Sequence, residues 1–481
     1  MVSAQAPAFV GTSGNDGFAR IEGAGADVVF RRLDFAGFRD GDGMDYVALV
    51  LDAAALTVED CVFRDNGVVA LDVRGAAALA VTASLFVANS ERAVRGWYGG
   101  DIRVSASTFL SNSMGDAKGG ALYAHHSPNV TLLNCTFANN SAANDGGAVF
   151  VDAARVDGTA AGDAHAVLVA GSTFASNRCA GDGGAVAVHD TAVVAFANST
   201  FTGNIAAGGG GAVLVTGRAD AGDASAARVG ACAFSGNAAS GGKGGALHVS
   251  RTDLRVAGAV FSENRNLGTH GGALSVGSNA HPSTFRVERS AFRGNAAAGQ
   301  GGAVYLFECN GTFAATNFTS NSASGAGGAV LKSDQGHVAF EGARLDGNAA
   351  GDDGGAVKAY GGNPASRTGT TGLTARASTF ASNTAARGGA IAISKEHLRL
   401  ADVDFAENGA SNQGGALWAN NAAVSIRGAA FRNNVADSSG QDLRLQSTVC
   451  DVACAPALFN TSDSVSANGA SDVAVDDAGC A

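Results

Sequence analysis

The stretch that decides the fold is Phe201-Thr-Gly-Asn-Ile-Ala-Ala-Gly-Gly-Gly-Gly-Ala-Val213. It joins an FxxN element, Phe201 to Asn204, to a GGA element that starts at Gly210-Gly211 and ends on an aliphatic residue. The same pair returns as Phe234 and Asn237 with Gly244-Gly245, and as Phe292 and Asn295 with Gly301-Gly302. FxxN also occurs at Phe63, Phe86, Phe109, Phe137, Phe174, Phe261, Phe318, Phe380, Phe405 and Phe431, with Leu345 as a substituted copy. GGA first appears at Gly119 and recurs to Gly414. Spacings of 23 residues (Phe63, Phe86, Phe109) rising to 37 (Phe137 to Phe174) fall in the range of solenoid repeats.

Within a unit the hydrophobic period is two, which marks strands. The residue after GGA is aliphatic (Leu122, Val149, Val213, Ile391), and the one two further on is apolar in most copies (Val151, Val188, Val215). The position two before Phe is small (Cys61, Ser84, Cys135, Cys232), so it shares the inner face with Phe. The position five before Phe is apolar (Val81, Val169, Phe196), so parity changes between the two and a bend or a further strand is expected there. Three short strands per turn with no helical period predict an all-β fold, a parallel β-helix of about 14–15 coils in one elongated domain. Coils at about 4.8 Å would make a rod of about 65 Å. Phe would stack on Phe in the core, Asn would hold a turn in the left-handed region and bond along the stack, and Gly-Gly would admit a tight turn. The expected boundaries are an irregular N-terminal cap at 1–30, the repeat domain at 31–445 and a Cys-containing tail at 446–481.

The paired motifs resemble the GGA(I/L/V) and FxxN repeats of the polymorphic outer membrane protein family and, more broadly, the right-handed parallel β-helix (pectin-lyase-like) superfamily. The resemblance covers about residues 55–445. It implies a surface passenger domain used in adhesion. The opening MVSAQAPAFVGTSG lacks a basic segment followed by a long apolar one, so a fragment or truncated gene product is expected, from a protein that is extracellular or at the cell surface, outer-membrane association included.

The 481 residues hold 69 Gly and only 16% charged residues, with a net charge of -11. That balance argues against nucleic acid and anionic membranes as partners, since both need clustered Lys and Arg. No apolar stretch is long enough for a membrane-spanning helix. The partners expected are glycans or surface proteins, and no cofactor is expected.

Polysaccharide lyases and hydrolases share the β-helix and need clustered carboxylates on an outer face. The position before Gly-Gly was the place to find such a ladder, or one binding calcium. It carries Lys118, Asp145, Asp182, Lys243, His270, Asp353 and Arg387 among others, a scrambled set with one acidic pair, Asp352-Asp353. His125-His126 lacks the converging partners a metal needs. The reading is therefore a non-catalytic, adhesin-like scaffold, with a carbohydrate-active enzyme and a passive spacer as alternatives.

The outward position between the two inward residues of the GGA strand carries Tyr123, Phe150, His248, Tyr305 and Trp418. Exposed aromatics there would stack on sugars or anchor a partner. The bland alternative is that the inserted stretches, such as 152–164 and 361–371, cover them. Cys61, Cys135 and Cys232 read as small core residues, Cys179 and Cys309 as turn residues, and Cys450, Cys454 and Cys480 as a disulfide-bearing end. Asn129, Asn134, Asn198 and Asn317 head N-x-S/T sequons and are the candidates for glycosylation.

Overall fold

The structure, a computed structural model, describes residues 18–23, 25–39, 46–52, 54–75, 77–98, 100–152, 166–217, 225–277, 283–361 and 371–446, and the strand backbone at 8–10, 449–453, 465–468 and 473–475. They fall in two compact units, Met1–Ala239 and Ser240–Ala481. Among the described residues there is no helix, and every strand pairing within a unit's sheets is parallel.

In the first unit a coil runs through four strands in turn. One is the strand after GGA, for example Val213–Gly217. The next precedes Phe, as in Ala226–Gly230. Then come the Phe strand itself, Ala233–Ser235, and a two-residue strand after Asn, Ala238–Ala239. Each pairs with its equivalents in adjacent coils, giving a GGA sheet, a pre-Phe sheet, a Phe sheet and a short sheet. The second unit repeats the plan, with Phe292 opposite Phe318 and Val304 opposite Val330. The short sheet is a fourth element where sequence periodicity gave three. A strand of two residues, such as Ala238–Ala239, is too short to show a period.

Phe rings form the core. In the first unit centroids from Phe35 through Phe63, Phe86, Phe109, Phe137, Phe174 and Phe201 to Phe234 are 4.6–4.9 Å apart, the coil rise itself. In the second, Phe261, Phe292 and Phe318 continue the pattern and Leu345 takes the same buried place. Each ring removed from water contributes roughly 1.5–3 kcal/mol.

Two bends frame the Phe strand. One lies three residues before Phe, where Asn134, Asn198, Ala231 and Arg289 have positive φ, and it explains the parity change. The other lies two residues after Phe, at Ser176, Gly203, Glu263 and Ser320. The left-handed residue is thus the one before Asn, not Asn. Asn204 is buried and instead carries a ladder: its Nδ2 donates to Asn237 Oδ1 at 2.9 Å and to the Phe174 carbonyl at 3.0 Å. Asn295 repeats this with Asn321 and Phe261.

The two glycines have separate jobs. The first turns in the left-handed region, as at Gly210 and Gly244 with φ of 59° and 75°. The second lets neighbouring coils touch: a Cβ on Gly245 would lie 2.0 Å from the Gly272 carbonyl oxygen. In the first unit a Cβ on Gly184 would lie 2.2 Å from the Gly211 carbonyl oxygen in the same way.

The ends differ from expectation. Ala8–Val10, Ala19–Ile21 and Asp27–Arg31 already pair in the Phe, GGA and pre-Phe sheets, so coil structure begins well before residue 31. Val449–Ala453, Val465–Asn468 and Val473–Val475 extend the pairing past residue 445. Residues 1–7, 11–17, 24, 447–448, 454–464, 469–472 and 476–481 lie outside the described residues, Cys454 and Cys480 among them. Cys61, Cys135 and Cys232 are buried as expected. Cys179 and Cys309 are buried too, in strands Arg178–Cys179 and Cys309–Ala314 rather than in turns.

Candidate functional site

Strand register stacks the outward residues of the GGA sheet into columns. In the first unit one column runs Asp72, Arg95, Tyr123, Phe150, Ala187 and Leu214, and its neighbour runs Arg74, Trp97, His125, Asp152 and His189. In the second unit a column runs His248, Ser275, Tyr305, Leu331, Lys358, Ala392, Trp418 and Arg444.

The expectation of an exposed aromatic ladder is corrected. Phe150, Tyr305 and Trp418 are only 2%, 6% and 4% exposed, and Tyr123 and His248 are half-buried. The residues just before Gly-Gly lie over them. Lys118 Nζ sits 4.4 Å from the centre of the Phe150 ring, and Lys243 Nζ sits 4.9 Å from that of Tyr305. His270 stacks on Tyr305 at 4.8 Å, and Lys358 and Arg387 flank Trp418 at 5.0 and 4.5 Å. Cations over aromatic faces gain about 0.5–2 kcal/mol each when partly desolvated. The scrambled row before Gly-Gly is therefore the cover of the GGA sheet, doing what sequence reasoning assigned to the inserted stretches, most of which lie outside the described residues. Neighbours along that row also pair: Lys118 with Asp145 at 3.1 Å and Arg387 with Asp353 at 2.7 Å. Asp353 is held by Lys358 as well, at 3.0 Å, so Asp352-Asp353 offers no free carboxylate pair.

The cover has a starting edge. Coils with 23-residue spacing run almost directly from Asn into the GGA sheet: Asn66 is three residues from Val69, and Asn89 five from Val94. From Asn112 the chain takes ten residues to reach Leu122, and the short sheet begins at Ser113–Met114. The step between uncovered and covered coils leaves a cleft of about 510 Å³, lined by Arg74, Arg92, Arg95, Trp97, Ala117, Lys118, Tyr123 and Asn144.

Each group in it is held. Asp72, fully buried, accepts from Arg95 at 2.6 and 2.9 Å and from Arg74 at 2.5 and 2.9 Å. Arg92, in the left-handed region with φ of 79°, donates Nε to the Lys118 carbonyl at 3.1 Å and lies 4.8 Å from the Tyr123 ring centre. Burial first, and then the charge of Arg95, pulls the Arg92 pKa below the ordinary arginine value. Burial likewise raises the Tyr123 hydroxyl, against the pull of Arg92. Trp97 is 42% exposed, near-parallel to Tyr123 at 6.1 Å, and it contacts His125 at 4.7 Å. Exposed Tyr98 packs on His126 at 4.6 Å. His125, whose Nδ1 is 3.3 Å from Asp152, is held below its usual pKa by burial and then by His126.

Of the sequence candidates, only Tyr123 reaches this cleft. Arg74, Arg92, Arg95 and Trp97 were not singled out, because the basic residues are spread along the chain and converge only through coil stacking. The signal was present: Arg74 and Trp97 are one 23-residue coil apart, and GGA starts only at Gly119. His248, Phe150, Tyr305 and Trp418 lie elsewhere under cover. Asn134, Asn198 and Asn317 are exposed, while Asn129 is half-buried with its Nδ2 on Asp101 at 2.8 Å. Among the described residues no group of three His, Cys, Asp or Glu is placed to hold a metal ion.

Residues 42–222 match the family model described as a right handed beta helix region. No curated protein and no solved structure matches the chain. The match is to the β-helix at large and does not extend to the polymorphic outer membrane protein repeats. Parallel strands stacked coil on coil, within that segment and beyond it, give this chain the right-handed parallel β-helix fold.

Proposed function

We propose that the chain is a non-catalytic, adhesin-like scaffold of a secreted or cell-surface protein, and that it binds a glycan in the cleft at the step in the GGA sheet's cover. The observation that carries this reading is Trp97, half-exposed beside Tyr123 in a concave site of about 510 Å³. Large exposed rings beside a pocket of that size are what sugar faces stack on. The outward aromatics of later coils, Phe150, Tyr305 and Trp418, are covered by residues that precede Gly-Gly.

A carbohydrate-active enzyme on the same fold finds less support. Hydrolysis of a glycosidic bond asks for a carboxylic acid and a second carboxylate across the bond. Asp72 is locked between two guanidinium groups, and Asp353 between Lys358 and Arg387.

The test is a glycan array run with the wild type and Trp97→Ala, together with a polysaccharide-degradation assay. The expected result is binding that Trp97→Ala weakens about tenfold or more, with no degradation, since a stacking contact of this kind contributes on the order of 1–2 kcal/mol. Degradation would replace the scaffold by the enzyme. No glycan binding at all would leave a passive spacer.

A further inference from the structure

We propose that the sugar taken by this cleft is anionic, bearing a carboxylate or a sulfate, and that Arg74, Arg92, Arg95 and Lys118 receive its charge. This rests on the reading of the cleft as a glycan site and deepens it.

Four of the eight lining residues are cations and none is a carboxylate, in a chain whose net charge is -11. Asp72 and Asp145 lie behind the lining. They fix Arg74, Arg95 and Lys118 in place and offset part of their charge. Glu91 and Asp116 act on Arg92 electrostatically but do not line the cleft. A cluster of like charges is unfavourable unless something of opposite sign joins it. Here the repulsion is built in: Arg95 acts on Arg92 against its charged form. Both guanidinium groups are largely buried, so an arriving anion would meet them in a site where charges are poorly screened.

The groups are also pre-positioned. Asp72 grips Arg95 in a two-point bond, and the Lys118 carbonyl and the Tyr123 ring hold Arg92. Little side-chain freedom is left to lose on binding. Guanidinium groups match carboxylate and sulfate through paired N–H donors, whereas neutral sugars make no use of that charge. Trp97 and Tyr123 supply the stacking face that separates a charged sugar from a free inorganic anion. The coil stack explains how an acidic protein holds such a patch: residues 74, 92, 95 and 118 come from three successive coils brought to one ledge.

The probes are a uronate oligosaccharide and a sulfated galactan oligosaccharide, each beside its carboxyl-reduced or desulfated counterpart. A polyglutamate peptide serves as a non-sugar anion. Binding to the full chain is measured by calorimetry at low and high salt. Either anionic sugar or both should bind at least about tenfold more tightly than the neutral counterpart, with affinity falling as salt rises. Arg74→Gln and Lys118→Gln, at side chains about 40% exposed, should each weaken that binding about tenfold while the protein stays folded, its melting temperature falling by no more than the loss of one ion pair or cation–ring contact requires. The sugar that binds identifies the carboxylate or the sulfate as the source. Equal affinity for neutral counterparts, lost in Trp97→Ala, overturns the anionic assignment while leaving the glycan site standing. Binding of the peptide as tight as that of the sugars also overturns it. Binding of no probe removes both.

Discussion

Asn295 shows how much a single side chain does in this fold. Its Nδ2 donates to the Phe261 carbonyl and to Asn321 Oδ1, and its own Oδ1 accepts from Asn264 N and Nδ2, all at 2.9–3.0 Å with no solvent contact. The side-chain amide has two donors and one acceptor oxygen with two lone pairs, so it is fully used. Removing it takes a partner from the Phe261 carbonyl and from two donors of Asn264 in the interior, at about 1–3 kcal/mol per buried unsatisfied group, while Asn321 Oδ1 keeps its bond from the Asn295 backbone N–H at 3.0 Å. Partial relaxation reduces the sum, and Asn295→Ala is expected to lower stability by about 3 kcal/mol in urea unfolding. Asn295→Asp should be worse, because a carboxylate cannot donate and would be an unpaired buried charge. If Asn295→Ala unfolds like the wild type, the ladder is not what holds the bend. The sequence announced these Asn residues by their recurrence, but it pointed to the wrong conformation for them. The left-handed turn belongs to the preceding residue, whose types (Ser176, Glu263, Ser320) carry no turn signal of their own.

At the scale of the element, the two kinds of glycine separate cleanly. Gly302 has ordinary φ, yet a Cβ there would lie 2.0 Å from the Gly328 oxygen and 2.4 Å from that of Ser322. Both obstacles are backbone of the next coil, which cannot move without breaking the short sheet and the GGA sheet together. Gly203 is the opposite case: φ is 62°, but the nearest atom to its Cβ would be Ser176 Oγ at 3.8 Å, and other coils place Ser, Ala or Glu at this bend. Gly203→Asn is therefore expected to change stability by less than about 1 kcal/mol, while Gly302→Ala should cost several times that, through overpacking against backbone. Thermal unfolding of the two variants checks this, and a Gly302→Ala protein as stable as Gly203→Asn would refute the close approach. Conformational freedom was the reason for glycine that sequence suggested, and it holds for the first of each pair. For the second the reason is space between coils, which no local pattern reveals.

At the scale of the whole molecule, repeat spacing made the coils legible from Phe35 to Phe431. Two things stayed hidden for one reason: they depend on which residues of different coils meet. One is the cover of the GGA sheet and the step in it that opens the cleft. The other is a buried ion pair in the second unit. Lys332 occupies an inward position of the GGA sheet that is Leu306 in the coil before and Ala359 in the coil after. It bonds Glu396, from two coils on, with exposures of 1% and 0%. The pair spans the coil at Gly361, where the insert leaves the GGA sheet and a Cβ would touch Glu396. Burial works against both charges, pulling the Lys332 pKa down and pushing Glu396 up to about 7, while each opposes that shift in the other. Glu396 Oε2 is buried without a hydrogen-bond partner, so the pair is not fully satisfied. Removing one member leaves the other uncompensated: Lys332→Met or Glu396→Leu alone should cost about 3–5 kcal/mol. The double variant should recover most of that loss, because an apolar pair no longer has to desolvate two charges. A double-mutant cycle in denaturant reads the difference directly. Additive losses would mean that the two side chains act independently, and that the charges contribute through other contacts such as the Lys332 bond to the Asp334 carbonyl.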